Sequence, residues 1–122
     1  MSGRGGTAAN TKSFSAGFRM VSGDASIRHY DNKSLTYNDA RPIADRISFR
    51  CLKETDSDGS YPHLNDDTDC VNGLRAQINF KSCWNGQDLH RSDNSHVAYT
   101  SGIDHDDCPP SHPVPIPGLF YE

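Results

Sequence analysis

The stretch at residues 73–81, GLRAQINFK, alternates strictly between apolar and polar side chains. Its apolar members are Leu74, Ala76, Ile78 and Phe80, and its polar members are Arg75, Gln77, Asn79 and Lys81. Successive side chains of a strand point to opposite faces, so this pattern predicts a strand with one buried and one solvated face. Strands of this kind are typical of antiparallel sheets.

Other stretches predict strands around this one. Residues 46–52, RISFRCL, place Ile47, Phe49 and Cys51 on one face, and residues 17–23, GFRMVSG, alternate over a shorter length. HVAYT at residues 96–100 and GLFYE at residues 118–122 are weaker candidates. Helical periodicity is confined to residues 40–47, where Pro42 restricts it to one turn. The sequence therefore predicts a mainly β fold with an antiparallel sheet, forming part of a β-sandwich.

The chain has 122 residues, of which only 34% are hydrophobic, so it has little apolar material for a core. The formal net charge is -4, and no basic stripe interleaves with aromatic residues, which excludes nucleic acid as an expected partner. No apolar run approaches the roughly 20 residues of a membrane span. Residues 1–16 also lack the apolar segment of a signal peptide.

The chain divides into a short lead and one domain. Residues 1–16, MSGRGGTAANTKSFSA, have the small and polar composition of a disordered segment. Residues 17–122 are expected to form a single β-rich domain. Long polar loops separate its strands at residues 53–70, 81–96 and 101–118. Loops of this length are uncommon in a compact domain unless they are functional or tied down.

The cysteines can tie these loops. They are Cys51, Cys70, Cys83 and Cys108, and none forms the CxxC pair of a zinc ribbon or a redox motif. Of the three possible pairings we favour Cys51–Cys70 and Cys83–Cys108, because each closes one long polar loop. Each closure is worth roughly 3 kcal/mol in the chain-entropy model. Free thiols are the alternative, whereas disulfides predict an oxidising compartment.

Several segments resemble, in their order, the middle of a family of secreted fungal proteins. They are GFRMVSGDASIR, ISFRC, GLRAQINFKSCWNG, SHVAY and CPPSHPVPIPGLFYE, which together span residues 17–122. The family is a domain of unknown function that is often joined to cysteine-rich WSC carbohydrate-binding modules. The resemblance implies an extracellular location and a cell-wall polysaccharide as the partner. The family domain is longer, so the chain is expected to be a truncated, central part of it.

The chain departs from the family pattern at two places. The family usually has CWDG where this chain has Asn85, and an Asp-Ser-x-Asp-His run where this chain has His90 and Asn94 at or near the matching positions. A change from Asp to Asn removes a general base or a metal ligand but keeps hydrogen bonding. If the family uses those carboxylates in catalysis, this member is expected to be impaired.

A Cys83–Cys108 disulfide would bring His96 and His112 together, with Asp93 or Asp88 nearby. Two histidines and a carboxylate suit zinc, copper or non-haem iron, and the same groups could serve as general acid and base on a glycan. The alternative is that both histidines hydrogen-bond to loop backbone beside the disulfide. The sequence specifies no cofactor.

Trp84 and Tyr99 are the candidate aromatic platforms for a sugar ring. A flat indole or phenol suits the C–H face of a pyranose, whereas the alternative for Trp84 is packing against the disulfide. Two hypotheses for the function remain. One is a secreted protein that binds or acts on cell-wall polysaccharide. The other is a non-catalytic structural domain of the cell surface, or a truncated product without activity.

Overall fold

The computed structural model describes residues 10–52, 64 and 69–122, and these form two small antiparallel sheets. The strands of this part of the chain are β1 (Ile47–Cys51), β2 (Leu74–Asn79), β3 (Cys83–Trp84), β4 (Val97–Ala98), β5 (Val114–Pro115) and β6 (Phe120–Tyr121). Short 3₁₀ turns at Tyr37–Asp39 and Ile43–Arg46 precede β1. The mainly β class and the antiparallel pairing predicted from the sequence are confirmed.

The first sheet has the order β1-β2-β6 and follows the predicted alternation. Its register places Ile47 opposite Ile78 and Phe49 opposite Ala76. The apolar residues of both strands therefore share one face of the sheet, because side chains alternate between the two faces along each strand. The strands predicted within residues 46–52 and 73–81 are confirmed.

The polar face of this sheet differs from the prediction, because it is not solvated throughout. Gln77 is 9% exposed, whereas Leu74 on the apolar face is 44% exposed. The Gln77 side chain accepts a hydrogen bond from Arg75 Nε at 3.1 Å and donates one to Ser48 Oγ at 2.7 Å. A buried amide that is bonded at both ends avoids most of the cost of losing water. The prediction that Gln77 lies on a solvated face is therefore wrong.

The second sheet has the order β4-β3-β5 and holds the core. Cys83 in β3 pairs with Ala98 on one side and with Pro115 on the other. The buried apolar side chains of the described residues belong to this sheet or to segments that adjoin it; they are Cys83, Val97, Tyr99, Ile103 and Ile116. The core is thus organised around the shorter sheet rather than around the longer β1–β2 pair.

Two disulfides tie the loops to the sheets. Cys51 at the end of β1 is bonded to Cys70, with their Cα atoms 5.0 Å apart. Cys83 in β3 is bonded to Cys108, with a Cα separation of 5.6 Å. These are the pairs favoured on the argument of loop closure. The loop predicted at residues 53–70 lies largely outside the described residues, which omit 53–63 and 65–68.

The strand predicted at residues 17–23 is wrong. Gly17 and Gly23 have φ angles of +81° and +87°, a left-handed conformation that interrupts extended structure at both ends. Between them, the Arg19 N–H donates to the Leu89 carbonyl at 2.9 Å, and the Val21 N–H donates to the Asn94 side chain at 2.9 Å. The segment is held by single hydrogen bonds to the loop that follows β3, not by a strand ladder.

The lead predicted to be disordered, residues 1–16, is described from residue 10 onward, and residues 1–9 lie outside the described part. Within the described portion, the Lys12 N–H donates to the Pro115 carbonyl at 2.9 Å. The ring of Phe14 lies 5.3 Å from that of Phe18. In the same described ranges, no helix has the length and apolar character needed to cross a bilayer.

Candidate functional site

An open cleft of about 1030 Å³ lies against the apolar face of β1. Residues 21–34 form one wall and residues 43–49 another, while Lys81, Asn94 and Tyr99 complete the lining; we call it the Lys81 cleft. Its aromatic and charged residues are Asp24, Arg28, His29, Tyr30, Asp31, Arg46, Phe49, Lys81, Asp93 and Tyr99. Its volume is near the upper end of the range of ligand pockets, and its lining is more polar than that of most small-molecule sites.

Lys81 lies just after β2, which ends at Asn79, and its side chain lines this cleft. The side chain is half-buried, and its Nζ lies 5.9 Å from the Tyr99 ring centroid and 3.4 Å from the Asn94 carbonyl oxygen. Burial lowers the pKa of Lys81, the charge of Arg46 lowers it further, and that of Asp93 opposes the shift. The cleft thus holds an ammonium group that is partly removed from water.

The Lys81 ammonium lies over the ring of Tyr99, and Tyr99 is only 5% exposed. Its hydroxyl shares a hydrogen bond with Ser22 Oγ at 2.8 Å and donates to the Asn79 carbonyl at 3.2 Å. Burial raises the pKa of Tyr99, against the lowering effect of the Ser22 hydrogen bond. With the ring face covered, the structure gives no support to Tyr99 as a stacking platform for a sugar.

Asp93 and Asn94 form the turn at the rim of the cleft. Asp93 is exposed, and its carboxylate accepts a hydrogen bond from the Ser95 N–H at 3.0 Å. Hydrogen bonds from the side chain and then the backbone of Ser95 lower the pKa of Asp93, which favours a carboxylate over a proton-donating acid. Asn94 adopts a φ of 55°, which asparagine tolerates, and its side chain accepts from the Val21 N–H.

His96 lies outside this cleft and is fully buried. Its Nε2 donates to the Arg19 carbonyl at 2.7 Å, and its ring lies 5.5 Å from that of Phe18 and 6.1 Å from that of His90. Its Nδ1 has no hydrogen-bond partner within the described part of the chain. The His96 ring therefore connects its own loop to the segment of Arg19 through one hydrogen bond to a backbone carbonyl.

His112 also bonds to backbone beside the Cys83–Cys108 disulfide. Its Nε2 donates to the Ser95 carbonyl at 2.7 Å, and its Nδ1 lies 2.8 Å from Ser111 Oγ. The structure brings His112 to the residue next to His96, but the two Nε2 atoms bind different carbonyls. The described residues contain no group of three His, Cys, Asp or Glu side chains arranged to hold a metal ion.

Trp84 is half-buried in β3 and packs in an aromatic cluster rather than in the cleft. Its ring lies 6.0 Å from that of Phe18 in an edge-on arrangement, and its Nε1 donates to the Asp88 carbonyl at 2.8 Å. A buried indole usually finds such a partner for its N–H. Trp84 and Tyr99 thus have different neighbours, and the sugar-stacking role of Trp84 stays a prediction.

Asn85, one of the departures from the family pattern, caps the turn that follows Trp84. Its side-chain oxygen accepts from the N–H groups of Gln87 and Asp88 at 3.0 and 3.2 Å, and its Nδ2 donates to the Asp88 carboxylate at 3.0 Å. An aspartate could make the first two bonds but would face Asp88 with a second negative charge. Asn85 is therefore suited to this turn by its amide hydrogen.

The sequence patterns did not identify Lys81 and Arg46 as site residues. Lys81 ends the alternation at residues 73–81 and was assigned to the solvated face, and Arg46 ends the 3₁₀ turn Ile43–Arg46. Both line the cleft because residues 21–34 fold over that end of the sheet. No sequence motif indicates that residues 21–34 approach this end of the sheet. The two site residues could therefore be recognised only from the three-dimensional structure.

Residues 2–122 match the family model described as Domain of unknown function (DUF1996). No curated protein and no solved structure gives a significant match to the chain.

Proposed function

We propose that this chain, which belongs to the DUF1996 family of domains of unknown function, is an extracellular domain that binds a cell-wall polysaccharide in the Lys81 cleft. The observation that carries this proposal is the mixed lining of the cleft. Tyr30, which is 37% exposed, offers an aromatic surface, and acidic, amide and basic groups surround it. Sugar rings require both kinds of contact, since their C–H faces are apolar and their hydroxyls form hydrogen bonds.

The two disulfides support the extracellular part of the proposal. Disulfides persist in oxidising compartments and are rare in the cytosol. The resemblance of residues 17–122 to secreted fungal proteins joined to WSC modules points the same way, toward the fungal cell wall as the setting.

Binding is favoured over bond cleavage by the contacts of the candidate catalytic groups. His96 and His112 each donate Nε2 to a backbone carbonyl, and Asp93 accepts from the backbone of its own turn. A general acid or base must instead have its proton-transferring atom within hydrogen-bond reach of the substrate. These contacts also favour the second candidate, a structural cell-surface domain in which the histidines and Trp84 only hold loops.

The test is binding to polysaccharides by the full chain with its disulfides formed. Oligosaccharides of β-glucan, chitin and pectin would be titrated by calorimetry, with Tyr30→Ala as the cleft variant. Tyr121→Ala is the matched control, because Tyr121 is 61% exposed and lies outside the cleft. We expect about a tenfold loss of affinity, near 1.4 kcal/mol, for Tyr30→Ala alone. Folded protein that binds none of these glycans would leave the structural domain as the function.

A further inference from the structure

Lys81 and Arg46 are two cations of the same cleft that form no ion pair with a carboxylate among the described residues. Within the described part of the chain, the Lys81 ammonium contacts the Asn94 carbonyl and the Tyr99 ring, and Arg46 Nη1 donates to the Ile43 carbonyl at 3.1 Å. Both side chains are half-buried. Charges that are partly withdrawn from water are usually paired, because the loss of hydration is costly.

Arg46 and Lys81 line the same cleft, and after burial the charge of Arg46 is the second cause that lowers the pKa of Lys81, while the charge of Asp93 raises it. Like charges held together in a partly dry cleft repel each other. An anion placed between them would relieve this repulsion. Two cations of the cleft on the polar face of β1 are paired instead, Arg41 with Asp45 and Arg75 with Glu122, both at 3.0 Å.

The carboxylates of the Lys81 cleft are each engaged within their own turns. Asp24 accepts hydrogen bonds from the N–H and Oγ of Ser26 at 2.9 and 2.6 Å. Asp31 accepts from the Lys33 N–H and from Ser34 Oγ, and Asp93 from the Ser95 N–H. The charge of Arg46 acts on Asp24 and that of Asp93 acts on Lys81, but no carboxylate of the described residues pairs directly with either cation, so a carboxylate of a ligand can bind there.

The position of Lys81 is fixed before any ligand arrives. Tyr99 lies under the ammonium, and the Tyr99 hydroxyl is itself held by Ser22. The left-handed conformation of Asn94 directs its carbonyl to the same ammonium. A preorganised cation loses little side-chain entropy on binding, and the guanidinium of Arg46 offers the planar pair of donors that matches a carboxylate.

We propose that Lys81 and Arg46 form a carboxylate subsite that receives a uronic acid residue of an acidic polysaccharide. This inference rests on the proposed function, because it assigns the charged class of glycan that the Lys81 cleft would select. The ammonium and the guanidinium would bind the two carboxylate oxygens, while the walls of the cleft contact the sugar rings.

The test compares oligogalacturonate with its methyl ester, which keeps the sugar backbone and removes the charge. Calorimetric titration of the full, disulfide-bonded chain should give at least tenfold tighter binding of the acid, with a preference that weakens as salt is added. Lys81→Met and Arg46→Gln should each reduce the affinity for the acid to that for the ester. Lys12→Met, at an exposed position outside the cleft lining, should leave both affinities unchanged.

Unfolding midpoints check that the variants fold. Lys81→Met should keep or raise the midpoint, because it removes a half-buried charge without breaking an ion pair of the described structure. Equal affinity of the wild type for acid and ester would overturn the uronate subsite while leaving polysaccharide binding intact. Binding of neither would overturn both proposals. Inorganic phosphate that competes with oligogalacturonate at equal concentration would show a site for free anions and also overturn the inference.

Discussion

The Nε2 atom of His112 lies 2.7 Å from the carbonyl oxygen of Ser95, so one imidazole joins the segment after Cys108 to the residue beside His96. The disulfide joins the segment around Cys108 to β3, and the imidazole joins it to the loop after β3. The bond satisfies the carbonyl of Ser95, one of several hydrogen bonds that hold this turn.

His112→Ala should therefore destabilise the protein by about 1 kcal/mol, the usual worth of one internal hydrogen bond. His96→Ala should cost more, about 2–4 kcal/mol, because it also leaves a cavity in the core. Urea unfolding measures both, with His29→Ala as an exposed control for stability alone, because His29 lines the cleft. Glycan affinity per folded molecule should stay unchanged. If the wild type bound a metal ion and both variants lost that binding with stability unaltered, these histidines would be metal ligands.

Tyr99→Phe should change how stability depends on alkaline pH. Burial raises the pKa of Tyr99 above that of the unfolded chain, so its stabilising contribution is complete below about pH 10 and falls as the pH rises further. The lowered pKa of Lys81 acts in the opposite sense in this range. The quantity to measure is therefore the difference in unfolding free energy between wild type and variant.

At neutral pH this difference should be about 1 kcal/mol, because the hydroxyl loses its bonds to Ser22 and Asn79. Above pH 10 the difference should shrink. Tyr121→Phe, at an exposed position, serves as the control. A difference that stays constant across the alkaline range would contradict the burial of the Tyr99 hydroxyl.

Asn85→Asp should destabilise the turn after Trp84 by about 1–2 kcal/mol at pH 7, since it replaces a donor to the Asp88 carboxylate with a second carboxylate. The loss should be smaller near pH 3, roughly where carboxylates become protonated. Asn85→Ala removes the donor without adding charge, so it should show no such pH dependence. Equal stability of Asn85→Asp and wild type at both pH values would mean that the turn accepts an aspartate at this position.

Removing the Cys83–Cys108 disulfide by a double alanine substitution should cost about 2–5 kcal/mol, and removing Cys51–Cys70 should cost less. The difference arises because Cys83 is fully buried at the centre of the second sheet, whereas Cys51 is only half-buried. Thermal unfolding of the two double variants compares the costs. Intact mass after alkylation without reductant should show both pairs, and free alkylation of the cysteines in folded protein would contradict them.

The alternation of side chains was sufficient to predict β1 and β2. Because the period of two is a local property, Ile47 and Ile78 could be assigned to a common apolar face before their pairing was known. A second argument from the sequence, the closure of one long loop by each disulfide, identified the cysteine pairs, because loop closure depends on spacing along the chain. These features share one property, namely that nearby sequence determines them.

The position of residues 17–34 could not be predicted in this way. Their local pattern favoured a strand, but the segment folds over the sheet through contacts such as that of Ser22 with Tyr99. That approach converts Lys81 from an expected solvated residue into a half-buried one, and it forms the cleft. The role of His96 was likewise hidden, because its partner, the Arg19 carbonyl, is distant in sequence and carries no residue-specific signal.

The pairing of β6 with β2, in which Tyr121 lies opposite Ile78, has a consequence for synthesis. β1 and β2 emerge from the ribosome well before residues 120 and 121, so one edge of β2 initially has no partner. An open edge strand can pair with a second nascent chain. The pairing of β6 closes this edge at Ile78 and Asn79, so completion of the chain removes one route to pairing between chains.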